Sequence, residues 1–168
     1  WSHLGAVLSA GETVSVAFRD YTSQACCLQA LRIDPNDSRA WANLGAATPA
    51  GQCVRVGTRE CTRIECYVEA LRIDVKCSRA WKELGADLAP GATVRIDAVE
   101  RHPKDCFVEA LRINGDDSAT WTSLGGVMAA GESVSIGMRD WRKKDCFEEA
   151  LRIDPNYGAA WRGLGGAL

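Results

Sequence analysis

One block of residues occurs four times at a fixed spacing of 40. CCLQALRIDPNDSRAWANLG runs from Cys26 to Gly45, and CYVEALRIDVKCSRAWKELG from Cys66 to Gly85. CFVEALRINGDDSATWTSLG follows from Cys106 to Gly125, and CFEEALRIDPNYGAAWRGLG from Cys146 to Gly165. Trp1, Trp41, Trp81, Trp121 and Trp161 mark the same period. A constant period of this size constrains the fold more than any local propensity. Each unit is a small motif that cannot bury its apolar face alone, so the core comes from stacking neighbours. The chain therefore reads as one domain, 1–168, with repeats 1–40, 41–80, 81–120 and 121–160 and a half repeat 161–168.

Inside each unit the periodicity changes twice. The first element, from about Trp1 to Ser9 and again from Ser38, Ser78 and Ser118, has helical spacing: Ala40, Trp41, Leu44 and Ala47 fall on one face. Asp37 or Ser38 is placed to cap it, and Gly11, Gly51, Gly91 and Gly131 are expected to stop it. Alternation then takes over, with Val14 and Val16, Val54 and Val56, Val94 and Ile96, and Val134 and Ile136 separated by polar residues. Period two with β-branched residues predicts a strand. Gly57-Thr58 and Gly137-Met138 predict Gly-first two-residue turns, and Arg19–Thr22, Arg59–Thr62 and Arg139–Arg142 the return strands. Val99, Arg101 and Pro103 fit this hairpin least well. A second helix begins near Ser23, Arg63, Lys104 and Lys143, behind the cap candidates Thr22 and Thr62, and Pro35 and Pro155 end two of its copies.

Composition narrows the function classes. A formal charge of −2 gives no electrostatic reason to expect nucleic acid or an anionic membrane. No apolar run approaches the ~20 residues that cross a bilayer. The lack of a signal peptide and of a clear disulfide framework favours the cytoplasm and leaves an extracellular location open. Cys26, Cys66, Cys106 and Cys146 share one repeat position and read as small buried hydrophobes. No cysteine or histidine spacing suits a metal, and no cofactor motif is present. His3 and His102 lack a repeated Ser, Cys or Asp partner, so no catalytic set is expected. Arg32, Arg72, Arg112 and Arg152 form a ladder that could track an anion. Glu69, Glu109 and Glu149 stand three residues earlier and favour local pairing instead. The tryptophans read as inter-helix packing. Cys53 and Cys61 fall in one hairpin and could form a disulfide if its loop were one residue longer.

The residues that carry both helices resemble the tetratricopeptide repeat, through Trp41, Leu44-Gly45, Ala70-Leu71 and Asp34-Pro35-Asn36. This unit is 40 residues long where that family has 34. The early small residue of the family's second helix is replaced by Ser23, Arg63, Pro103 and Lys143. With the hairpins read from the alternation the fold is mainly α with short β-hairpins, and the resemblance implies that it winds as a right-handed solenoid. Its concave face would be built from first helices and would engage a peptide or protein partner without catalysis. Mapped on this chain, that face offers Arg39, Asn43, Arg79, Lys82, Glu83, Thr122 and Ser123. A second function is a structural array in which copies of the chain stack head-to-tail into rods or filaments. Trp161 and Leu164 would meet Leu28 and Leu31 of the next copy, because a soluble solenoid otherwise carries polar terminal faces.

Overall fold

The structure, a computed structural model, describes residues 2–7, 13–16 and 19–167. Trp1, Ser9, Gly11 and Leu168 lie outside the described residues. The chain is an α+β protein in which helix, hairpin and helix alternate. The first repeat contributes α1 (Ser2–Val7), β1 (Thr13–Val16), β2 (Arg19–Thr22) and α2 (Ser23–Ile33). The second has α3 (Ser38–Ala47), β3 (Cys53–Val56), β4 (Arg59–Thr62) and α4 (Arg63–Ile73). The third has α5 (Ser78–Asp87), β5 (Val94–Ile96), β6 (Val99–Arg101) and α6 (Pro103–Ile113). The fourth has α7 (Ser118–Val127), β7 (Ser133–Ile136), β8 (Arg139–Arg142) and α8 (Lys143–Ile153), and α9 (Gly158–Gly165) follows. The contacts divide the chain into two compact units, Trp1–Glu83 and Leu84–Leu168. Within the first, α1 packs on α2 and α3, α2 on α3, and α3 on α4. Within the second, α6 packs on α7, α7 on α8, and α9 on both α7 and α8.

The helices start where side chains can satisfy the free N–H groups of their first turns. Asp37 Oδ1 accepts from the N–H of Arg39 and Ala40, both at 3.0 Å, and Asp117 does the same for Ala119 and Thr120. Thr62 and Glu65 form a reciprocal capping box. In the later copies Asp105 and Asp145 accept from the N–H of His102 and Arg142, each at 2.9 Å. Second helices all stop at an isoleucine, and the turn that follows has one cause. Asp34, Asp74, Asn114 and Asp154 each accept with a side-chain oxygen from the N–H two residues on. Proline is therefore dispensable, which is why Asp74-Val75-Lys76 turns as well as Asp34-Pro35-Asn36.

The glycine stops need a correction. First helices end at Ala47, Asp87 and Val127, several residues before Gly51, Gly91 and Gly131. These glycines, with φ of 77°, 81° and 80°, instead serve the next turn, closed by Gln52 N–H to Pro49 O, Ala92 N–H to Ala89 O and Glu132 N–H to Ala129 O. A positive φ at the third residue is what a type II turn demands. The hairpins form as two-stranded antiparallel ribbons, each separate from the others. Repeat three makes one as well, shorter by a residue per strand, with Asp97 (φ 47°) and Ala98 (φ 67°) both left-handed. Two positive φ values define the I′ hairpin turn, which Asp tolerates and Ala resists. The register sets Cys53 opposite Thr62 and Cys61 opposite Val54. The proposed cystine is therefore not made. Cys53 is exposed, Cys61 is buried, and both thiols are free.

The tryptophans and the Leu-Gly glycines explain the core. Trp41, Trp81 and Trp121 are buried, and each indole N–H donates to a backbone carbonyl six residues earlier: Pro35, Val75 and Gly115. That bond lets a large polar-tipped ring be buried without an orphan donor. An added Cβ at Gly45 would stand 2.6 Å from the Tyr67 ring, and at Gly85 and Gly125 3.0 Å from Phe107 and Phe147. Glycine is required there because an aromatic ring of the second helix lies against the first helix's backbone. In the second unit Phe107, Leu111, Trp121, Leu124, Met128 and Trp141 are core residues, and the Trp121 and Trp141 rings sit 4.4 Å apart.

Candidate functional site

The expected concave-face residues separate into three groups. Arg39, Asn43 and Arg79 come together with Ser2, His3, Asp74, Lys76 and Cys77 around one cavity of about 340 Å³ in the first unit. Three first helices build it. α1 brings Ser2 and His3, α3 brings Arg39 and Asn43, and the opening turn of α5 brings Arg79. Lys82 and Glu83, half-buried on α5, do not line it. Thr122 and Ser123 sit on α7 in the second unit. Their hydroxyls donate to the carbonyls of Ser118 and Ala119 at 2.9 Å, so they are already engaged within their own helix.

Asn43 lines the cavity and also ties two helices together. It is 6% exposed, and its Nδ2 donates to Ser2 O at 3.0 Å. The amide ties α1 to α3 and forms the floor of the cavity. The cationic walls are Arg39, Arg79 and Lys76, with the His3 imidazole beside them, opposed by Asp74 alone. Asp74 Oδ1 is partly occupied by the N–H of Lys76 at 2.9 Å. Arg39 and Arg79 are exposed, and neither has an ion-pair partner among the described residues. Burial pushes the Cys77 thiol up from its ordinary range, and both guanidiniums lie close enough to pull the other way. Lys76 and His3 escaped the sequence reading. The one available signal was the replacement of Pro35-Asn36 by Val75-Lys76 in the corresponding turn.

The remaining candidates lie elsewhere. Leu31 is 4% exposed and Leu28 half-buried, and both line a cavity shared with Val56 of the next hairpin. They face this cavity, which lies between α2 and the β3–β4 hairpin. Trp161 is 56% exposed although its N–H donates to Pro155 O at 2.9 Å, as in the interior copies. Leu164 is half-buried. A side chain at Gly165 would meet nothing, where Gly45, Gly85 and Gly125 each meet an aromatic ring.

Three of the four ladder arginines are paired, Arg32 being the exception among the described residues. Arg72 meets Glu69 at 3.0 Å, Arg112 meets Glu109 at 3.0 Å, and Arg152 meets Glu149 at 2.7 Å. The repeated cysteines are packed and weakly acidic: burial pushes Cys66, Cys106 and Cys146 each to about 12. A thiol held neutral in this way is a poor nucleophile at neutral pH. Among the described residues no group of three His, Cys, Asp or Glu side chains is placed to hold a metal ion, and no helix is long and apolar enough to cross a membrane. Compared with known protein families and with curated proteins, the chain matches none.

Proposed function

We propose that this chain is a non-enzymatic repeat scaffold of tetratricopeptide type, and that the cavity between α1, α3 and α5 engages an acidic segment of a protein partner. The observation that carries it is the pair of guanidiniums, Arg39 and Arg79, which share one concavity with Lys76 and His3 and have no ion-pair partner among the described residues. Free cations in a concave site favour an anionic partner and steer its approach. The volume suits one or two side chains of an extended peptide, and the buried Asn43 bond holds the walls in place before binding. The helix pairs are read as winding right-handedly, as in the resembled family, which would continue the first-helix face along the stack.

The test is fluorescence polarisation with a short labelled peptide of alternating Glu and Ala. Binding should weaken with salt, and Arg79→Glu should raise Kd about tenfold or more, the scale of a charge-assisted contact. Equal binding of a Lys-Ala peptide, or an unchanged Kd in Arg79→Glu, would defeat the proposal.

A second reading, head-to-tail stacking of copies, is favoured by Trp161. Its interior equivalents are 8%, 2% and 3% exposed against its own 56%. Beside it, Gly165 keeps open the gap that an aromatic ring fills at Gly45, Gly85 and Gly125. Sedimentation at several concentrations should show association that Leu164→Glu removes. A monomer at every concentration would set this reading aside.

A further inference from the structure

The outer side of the second helices carries a motif that three repeats complete and one leaves open. In repeat two, Glu69 accepts from Arg59 at 3.1 Å and from Arg72 at 3.0 Å. In repeat three, Glu109 lies 3.6 Å from Arg101 and 3.0 Å from Arg112. In repeat four, Glu149 accepts from Nε and Nη2 of Arg152 at 3.0 and 2.7 Å. The same position in repeat one is Gln29, which has no negative charge to give. Its arginine, Arg32, is exposed and has no partner among the described residues.

A cavity of about 640 Å³ stands at this place, between α2 and the hairpin β3–β4. Gln29, Arg32 and Arg55 supply its polar lining, and Leu28, Leu31 and Val56 its apolar lining. Among the described residues Arg55 is held by Glu60 alone, at 3.2 Å, with both side chains mostly exposed, so it can turn toward a ligand at little cost. An apolar concavity of several hundred Å³ with a few convergent polar groups has the general form of a ligand site. The chain supplies its own template for the ligand: a helix carboxylate held by one arginine in repeat four and by two in repeats two and three.

We propose that this cavity on the outer side of α2, distinct from the groove between first helices, binds a partner segment in which a Glu is flanked by Leu-like residues. The carboxylate sits on Arg32 as Glu69 sits on Arg72, and the aliphatic neighbours cover Leu28 and Val56. A carboxylate is chosen over a phosphate because it is the group that the other repeats place there.

The experiment follows the Arg32 Nε–H and the Leu28 and Val56 methyl signals by NMR during titration with acetyl-Leu-Glu-Leu-amide. Saturable shifts of these three residues are expected, with a Kd at least about tenfold lower than for acetyl-Leu-Gln-Leu-amide. Gln29→Glu, which copies the other repeats and therefore keeps the fold, should close the site from within and abolish the shifts. Arg32→Gln should do the same without adding charge. Equal response to the Glu and Gln peptides, full binding by Gln29→Glu, tighter binding of a phosphoserine analogue, or no saturable shift up to ~10 mM peptide would each overturn the proposal.

Discussion

Arginines occupy two faces of this chain, and the two sets are treated differently. On second helices, Arg72, Arg112 and Arg152 are each neutralised by the glutamate three residues before them. On first helices, Arg39 and Arg79 share a concavity in which Asp74 is the one lining carboxylate, and neither arginine forms an ion pair among the described residues. Both sets are exposed and both repeat with the same period. A formal charge of −2 conceals the difference, because it sums charge over the whole chain without regard to where each group lies. Charge that a fold does not use for itself is available to a partner. Paired surface charge contributes little to either stability or binding.

The largest effect is expected from the core of the second unit, which holds the helices that carry Arg112 and Arg152. Trp121→Ala should cost about 3–5 kcal/mol, the range for truncating a buried large aromatic, because Trp121 is 3% exposed and packed on Trp141. Trp161→Ala should cost far less, since more than half of that ring already meets water. Chemical denaturation of the two variants measures both, and equal losses would contradict the assignment of faces. Alkali should loosen the packing around the repeated cysteines. Folding raises the Cys66, Cys106 and Cys146 thiols from about 9 to about 12, so the unfolded chain loses these protons first. Their contribution is complete below pH ~9 and is lost as pH rises toward 12. Urea titrations across that interval should show a steady fall in midpoint.

Next in size is the inner face. Arg39→Glu with Arg79→Glu should leave the denaturation midpoint nearly unchanged and cost about 1–3 kcal/mol of acidic-peptide binding, read as a Kd shift. A smaller effect is expected at the third hairpin. Ala98→Gly relieves a left-handed alanine beside Asp97 and restores an Asp-Gly turn. Thermal unfolding should show a gain of about 0.5–1 kcal/mol. The outer face should respond least: Arg72→Ala should cost about 0.2–0.5 kcal/mol and leave peptide binding untouched.

Much of this was legible in the residues. The period fixed the unit, and the change from helical spacing to alternation located the hairpins. Arg59–Thr62 and Arg139–Arg142 form the expected return strands. Glu at three residues before Arg is enough to predict a helix-surface pair, because both partners lie on one element. What depended on two elements was harder to read. A glycine after a helix can close the helix or serve the next turn, and Gly51 does the second. Cys53 and Cys61 needed a register, and a two-residue turn places them on opposite faces. Asn43 lines the groove, but its bond to Ser2 O needs the neighbouring helix and could not be read from α3 alone. Lys76 and His3 reach the same cavity from a turn and from α1, a juxtaposition that no single stretch of sequence contains.

The inner groove is tested most directly by NMR of the labelled chain during titration with the Glu-Ala peptide. Saturable shifts should be confined to residues lining the cavity, on α1 around His3, on α3 around Arg39 and Ala42, and on the Lys76–Arg79 segment. The Arg39 and Arg79 side-chain signals should move most, and the Lys-Ala peptide should move none of them. Shifts that instead spread along the hairpins or α9, or that the two peptides produce equally, would contradict the assignment of this groove as the binding face.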